Sequence, residues 1–341
     1  MSGGGPRGGP NGGPNGGPGS GPGGRLPEAE WDAHLEKHPE ATFYHSRVWA
    51  RIVTAAFAGA LLDRSRWIDA GGGAHAALPL FEWRRLSGLF TTRQSTFPFL
   101  YGGPAPRRAP DGRDLLADVL ADLGRGSHSL LLVSNPYAPG PAAAPGAVTR
   151  QEEATHLLRF PQNYNEYWEG VLTTAKRNDV RRLAKHGVTV RVGGTADEIA
   201  TIYGFYHQSF VRWGGKPTFV YPEALYRAMI DLGEGHVRLY LAEREGKAAG
   251  GAFIVRWNGH VHYHAGYFDH EARSLRPNVL IQERVIRDAI EDGFRDYDFL
   301  PSGGNRGVEE FKESFGGVRT PIERYVYNGP LHRAASLLRR P

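Results

Sequence analysis

Apolar positions recur at helical spacing through Val48, Trp49, Ile52, Val53 and Phe57, which predicts a helix over Phe43 to Ala58 with Ser46 as a candidate cap. His75 to Phe90 alternates as a strand pair turned near Arg85–Gly88. Leu115 to Leu123 reads as a helix and Ser129 to Val133 as a short buried strand. Farther on, Tyr164 to His186 reads as one long helix, Val188 to Val192 as a strand, and Ala196 to Trp213 and Pro222 to Leu232 as helices. Three alternating runs come next: Val237–Arg244, Ala248–Trp257 and His260–Phe268. They are joined at Glu245-Gly246-Lys247 and at Asn258-Gly259, and Asn-Gly between alternating runs is a strong hairpin signal. Pro277 to Asp292 is a helix stopped by Gly293, Phe294 to Leu300 a buried strand, Val308 to Phe315 a short helix, and Ile322 to Tyr327 a last strand. Arg333 to Arg340 has the spacing of a short amphipathic helix.

The order helix, helix, three-strand meander, helix, strand, helix, strand specifies a mixed α/β domain, and the first half shows a shorter version of it. The expected fold class is therefore α/β, with two tandem mixed domains of which the second is more complete. Residues 1–25 are almost all Gly, Pro and Asn and cannot bury a core, so a disordered tail is expected there. The expected division is an N-terminal half over 26–150, a C-terminal domain over 151–329 and a tail over 330–341, with the Pro/Ala-rich stretch 136–148 as surface loop or linker.

Composition narrows the chemistry. A chain of 341 residues, 40% hydrophobic, is long enough for two domains. The absence of cysteine excludes disulfides, thiolate catalysis and Cys-ligated zinc. No apolar run reaches the roughly 18–20 residues of a membrane span, and the N-terminus has no secretory h-region, so a cytoplasmic protein is expected. Lysine and arginine together number 41 against 36 acidic residues, and only six of the 41 are lysines. Arginine grips phosphate and carboxylate through paired donors, which fits anionic partners. Genome-wide composition bias accounts for such an excess equally well.

Particular residues carry the candidate chemistry. Pro277 stands at the expected first position of its helix, where free backbone N–H groups face outward beside Arg273 and Arg276. That makes a candidate phosphate cradle. Asp298 lies near the C-terminal end of its strand, where ligands collect in α/β sheets. It can take a proton from an attacking amine, or simply hydrogen-bond the Ser302-Gly303-Gly304 turn. Lys312 projects from a short helix fixed by Phe311 and Phe315, so its ammonium can stabilise an oxyanion or a phosphate. His260, His262 and His264 share a strand face and read as polar residues near a site mouth rather than metal ligands. Tyr263 and Tyr267 are expected on the opposite face, either one able to protonate a leaving group. The run Lys176, Arg177, Arg181, Arg182, Lys185 forms a basic helix suited to a polyanion or to solvent.

Several of these stretches together resemble a known family. They are Tyr263–Tyr267, Arg273–Asn278, Tyr297-Asp298-Phe299 and Glu310-Phe311-Lys312-Glu313-Ser314-Phe315-Gly316-Gly317, with Pro98-Phe99-Leu100-Tyr101-Gly102-Gly103-Pro104 in the first half. The second half resembles the GNAT superfamily, more narrowly the Fem-type aminoacyltransferases and their BioF2-like acetyltransferase relatives, over roughly residues 40–328. The resemblance implies two fused GNAT-like domains with the site between them. It also implies transfer of an acyl or aminoacyl group to the amine of a small molecule or peptide, with no metal, no tightly bound cofactor and no covalent enzyme intermediate. The co-substrate is expected to be aminoacyl-tRNA or acyl-CoA. Coenzyme A pyrophosphate sits in ordinary GNAT enzymes on a loop with a Gly-x-Gly/Ala ending. Here Arg276 and Asn278 replace both small residues, which tilts the expectation toward tRNA. The expected catalytic residues are Lys312, which the resemblance implies, and Asp298 and Tyr267, from their places on the strands. Donor contacts fall to Arg273, Arg276, Asn278, Phe311 and Tyr263, and acceptor contacts to Tyr101, Gly102, Arg177, Arg181 and His264. The competing reading is a non-catalytic protein on the same scaffold that binds RNA or an anionic metabolite.

Overall fold

The structure is a computed structural model describing residues 28–85, 90–98, 100–126, 129–212, 214, 215, 217 and 219–330. The expected tail over 1–25 and the helix over 333–340 lie outside these residues.

The first half holds α1 (Glu28–Leu35), α2 (Arg47–Ala56), β1 (Leu61–Asp63), β2 (Arg66–Gly71), β3 (Ala74–Leu78), β4 (Phe81–Arg85), β5 (Phe90–Gln94), α3 (Leu115–Gly126) and β6 (Ser129–Val133). Ser46 is the cap of α2, its hydroxyl accepting the Trp49 N–H at 3.1 Å. Because a cap residue is extended rather than helical, Phe43–His45 forms a separate 3-10 turn, and the helix expected to start at Phe43 begins at Arg47.

The second half holds β7 (Val148–Arg159), α4 (Tyr164–Glu166), α5 (Thr174–Lys185), β8 (Val188–Gly193), α6 (Ala196–Arg212) and α7 (Glu223–Asp231). It continues with β9 (Val237–Arg244), β10 (Lys247–Trp257), β11 (His260–Phe268), α8 (Pro277–Glu291), β12 (Asp296–Asp298), α9 (Arg306–Glu313) and β13 (Val318–Asn328). The meander β9–β10–β11 is antiparallel, as its turn residues predict. The single helix expected over 164–186 is instead broken. A π-helical turn over Tyr167–Val171 ends at Leu172, and Thr173 caps α5 afresh by accepting the Lys176 N–H at 3.3 Å. Among the described residues no helix is long and apolar enough to cross a membrane.

Among the described residues the two α/β halves share one sheet of eleven strands, ordered β1-β4-β5-β6-β13-β7-β12-β11-β10-β9-β8, with β2 and β3 forming a separate pair. The C-terminal strand β13 sits between β6 and β7, pairing β7 antiparallel from Val318↔Leu157 to Tyr327↔Val148. The halves are therefore joined through backbone hydrogen bonds. One core cluster also spans them, packing Trp49, Tyr44 and Tyr101 of the first half with Tyr226, Phe253 and Val255 of the second. The other face of the second half is closed by α8 and α5 over Ile254, Val261 and Tyr297.

Two local irregularities interrupt the middle of this sheet. β12 pairs β11 in parallel over only three positions, His260↔Asp296 to His262↔Asp298. Leu300 then takes a left-handed turn at φ 57°, so the strands part. On β11, Tyr263 pairs with Ile254 and Ala265 with Phe253, which leaves His264 as the extra residue of a β-bulge.

Candidate active site

The parted strands carry polar side chains on one face. Partners in a sheet register point the same way, so His260, His262, Asp296 and Asp298 share that face, and Thr155 on β7 joins them. The first half covers it with rings. Tyr44 lies 5.2 Å and Tyr101 6.4 Å from the His262 ring, centroid to centroid, and the two tyrosines are 6.5 Å apart. Asp298, His262, Thr155, Tyr44 and Tyr101 are all fully buried.

Asp298 Oδ1 accepts the Thr155 hydroxyl and, at 2.8 Å, the Leu300 N–H. Its second oxygen, Oδ2, has no hydrogen-bond partner, and neither do the Tyr101 hydroxyl or either nitrogen of His262. Tyr101 nonetheless lies close enough to Asp298 for each to perturb the other's ionisation. Burial raises the Asp298 carboxyl to about 6, against the lowering by Thr155, the Leu300 amide and the neighbouring Tyr101 and Lys312. Burial brings His262 down to about 3, so its imidazole is neutral at physiological pH. Leaving a buried polar group unpaired costs about 1–3 kcal/mol, and four such atoms meet at this face.

Lys312 reaches the same strand end from α9. It is buried, and its ammonium donates to the Leu300 carbonyl. Burial lowers it to about 8, partly offset by the charge of Asp298. The motif around it has a mechanical reason. The Phe311 and Phe315 rings pack with their centroids 5.1 Å apart, tilted by 58°. Gly316 has φ 89°, and any Cβ there would collide with Val171. A Cβ on Gly317 would stand 2.9 Å from the Lys312 carbonyl oxygen. The two glycines thus let the chain turn tightly behind Lys312 and fix its helix.

On the other side of the splay, Phe268, Arg273, Arg276, Pro277, Asn278, Val279 and Phe311 line a cleft of about 170 Å³. The helix starts at Pro277 as expected, with Arg276 as its cap in a left-handed conformation, φ 42°. The Arg276 guanidinium donates to Asp179 on α5 at 2.6 Å. Lys176 places its ammonium 5.1 Å from the Phe311 ring centroid and 5.3 Å from that of Phe315. Burial first, then Arg276, lowers its pKa.

Of the residues expected from sequence, Asp298, Lys312, Tyr101 and His264 come together at the strand end, His264 through a 3.3 Å contact of its Nδ1 with the Tyr44 hydroxyl. Arg273, Arg276, Asn278 and Phe311 meet in the cleft. The remaining five stand elsewhere. Tyr263 and Tyr267 do not share a face, because the bulge at His264 reverses the alternation: Tyr263 packs under α8 while Tyr267 joins Tyr226 at 2.7 Å. Arg177 is occupied by the Trp168, Glu169 and Leu172 carbonyls at 2.8, 2.9 and 3.0 Å, so it closes the end of the π turn. Arg181 lies over the Trp168 ring. Gly102 packs against Ser95, its N–H donating to the Val133 carbonyl at 2.9 Å. Sequence reasoning missed Tyr44, Thr155 and the individual part of Lys176. A lysine at the start of a mostly arginine-bearing helix was the available hint for the last.

Residues 173–313 match the family model described as an acetyltransferase (GNAT) domain. No curated protein matches the chain in sequence. Among solved structures the chain is similar to FemX, with a TM-score of 0.64 at 13% identity, over 92% of this chain and 99% of that one. It is also similar to a conserved protein of unknown function from Bacteroides thetaiotaomicron, with a TM-score of 0.55 at 14% identity, over 89% and 98%. A third likeness is to the C-terminal domain of a putative lysylphosphatidylglycerol synthetase from Agrobacterium fabrum, with a TM-score of 0.52 at 13% identity, over 91% and 96%. At these identities the likeness is one of fold. Residues 173–313 thus match a GNAT domain, and the fold of the chain is similar to that of FemX.

Proposed function

We propose that this chain is an amide-forming transferase that moves an acyl or aminoacyl group from an activated donor onto an amine. The observation that carries the reading is Asp298, a buried carboxyl with one unpaired oxygen and a pKa raised to about 6, beside the fixed ammonium of Lys312. The bound ammonium gives one proton to Asp298, the free amine attacks the donor's carbonyl carbon, and a second N–H proton goes to the departing oxygen or sulfur. The charge that develops on the carbonyl oxygen is stabilised by Lys312, and the bond to the leaving oxygen or sulfur then breaks. The cleft of Arg273, Arg276, Asn278 and Phe311 receives the donor's anionic portion, with Lys176 behind Phe311 adding positive charge. Both expected donors, aminoacyl-tRNA and acyl-CoA, offer phosphates and an aromatic base to that cleft. The acceptor enters from the face of Tyr44 and Tyr101.

Thermal denaturation with saturating acetyl-CoA, and separately with a charged tRNA pool, tests the donor. A ligand at about 100 times its Kd adds roughly 2.7 kcal/mol, a shift of several degrees. A shift with acetyl-CoA assigns the acyl-CoA donor, and a shift with charged tRNA alone assigns the aminoacyl donor. Binding of either without any amide product in the presence of an amine panel would replace this reading with a non-catalytic binder.

A further inference from the structure

The amine side of the site contains more than a base. Three buried groups, two on one sheet face and one covering it, each offer an unused hydrogen-bond acceptor: Asp298 Oδ2, the ring of His262 and the Tyr101 hydroxyl oxygen. A neutral imidazole has one nitrogen lone pair and a phenol oxygen retains lone pairs while donating, so each can accept from a ligand N–H. Because burial keeps His262 neutral, its lone pair is present throughout the physiological range. The nearby cations are occupied, Lys312 on the Leu300 carbonyl and Arg159 on Asp296 at 2.6 Å. The rings of Tyr44 and Tyr101 stand beside His262.

A primary ammonium has three N–H donors. We propose that His262 and Tyr101 act with Asp298 as a three-point seat that reads the acceptor's nitrogen, making His262 a specificity-determining residue for primary over N-methylated amines. This rests on the acyl-transfer reading for its purpose, but not for its geometry. A primary alkylammonium satisfies all three acceptors. An N-methyl ammonium has two N–H groups, so one buried acceptor stays unpaired and a methyl must fit against it. Once seated, the ammonium gives one proton to Asp298. The free amine attacks, and a second N–H proton leaves with the departing oxygen or sulfur, giving amide plus alcohol or thiol.

The test is calorimetric titration of the full-length protein with n-butylammonium, N-methylbutylammonium and butyrate, on wild type, His262→Phe and Tyr101→Phe. The expected result is saturable binding of butylammonium to wild type, about tenfold tighter than its N-methyl analogue, with butyrate not bound. His262→Phe should reduce that preference to less than threefold. Tyr101→Phe removes a single hydroxyl within an unchanged ring, so it keeps the question open to measurement if His262→Phe fails to fold, and it should weaken butylammonium several-fold. Equal affinity for the two amines in wild type, no binding of butylammonium, or an unchanged preference in a folded His262→Phe protein overturns the seat. The parent reading fails separately: seated amine with no amide product from either donor ends it, whereas product formation with unaltered amine preference in the variants ends only the seat.

Discussion

Two His–Asp pairs lie one step apart on the same two strands, and they differ in every respect that matters for function. His260 and Asp296 are joined at 2.8 Å, the other His260 nitrogen meets the Pro39 carbonyl at 2.6 Å, and Asp296 also accepts from Tyr137 at 2.9 Å and Arg159 at 2.6 Å. Burial pushes the Asp296 carboxyl up, but His260, Tyr137 and Arg159 outweigh it and hold it below its usual value. His262 and Asp298 keep three of their polar atoms unpaired, and burial wins, lifting Asp298 to about 6. The first pair fastens the loop at Pro39 and the tyrosine at 137 to the sheet. The second keeps one carboxylate oxygen and both ring nitrogens without partners. Identical residue types on one face thus differ in how many hydrogen bonds the rest of the fold supplies, and the proposed chemistry falls to the pair with fewer.

Breaking each pair should give opposite phenotypes. Asp298→Asn removes the base and is expected to lower amide formation by about 10²–10⁴-fold, with Lys312→Ala lowering turnover about 10²-fold or more. Normal turnover in folded Lys312→Ala would remove that residue from the chemistry. Asp296→Asn should chiefly affect the fold, because it leaves Arg159 and His260 without their shared carboxylate. Breaking a buried, paired charge this way costs about 3–5 kcal/mol, read as a fall in the denaturation midpoint. Asp298→Asn should instead stabilise the protein above pH 7. The folded state holds its proton on Asp298 up to about 6 while the unfolded chain loses it near 3.8, so stability contributed by this group declines as pH rises through that window. An amide, which never ionises, escapes the loss, and the gain should be on the order of 1–3 kcal/mol at pH 7.5. A smaller effect sharpens the comparison. Thr155→Val deletes one hydrogen bond to the Asp298 carboxylate, so the acidic limb of the rate profile should move upward by about half to one pH unit.

Much of the fold was legible because its elements obey simple periodicities. The meander, the Pro277 helix and the Ser46 cap follow from alternation, Asn258-Gly259 and a hydroxyl before an apolar run. Lys312 and Asp298 were legible through their flanking aromatic residues and glycines. The bulge at His264 was not, since one extra residue in a register leaves no mark in composition, and it alone separates Tyr263 from Tyr267. Arg177 looked available for a ligand because sequence does not reveal three carbonyls converging from a π turn. Tyr44 comes from a segment more than two hundred residues from His262 and Asp298, so only the packing of the halves discloses it. Lys176 was hidden in a basic run, although its neighbours Phe311 and Phe315 belong to the most distinctive motif in the chain.

The contrast between the two carboxylates is most directly measured by NMR titration of aspartate labelled with carbon-13 at the carboxyl, in wild type and in Asp298→Asn. The expected result is one buried carboxyl titrating near pH 6 that disappears in the variant, while Asp296 stays ionised to below its ordinary range. An Asp298 signal that titrates at or below the ordinary carboxylate range would contradict the account, because a carboxylate so stabilised would lack the basicity to take a proton from an amine.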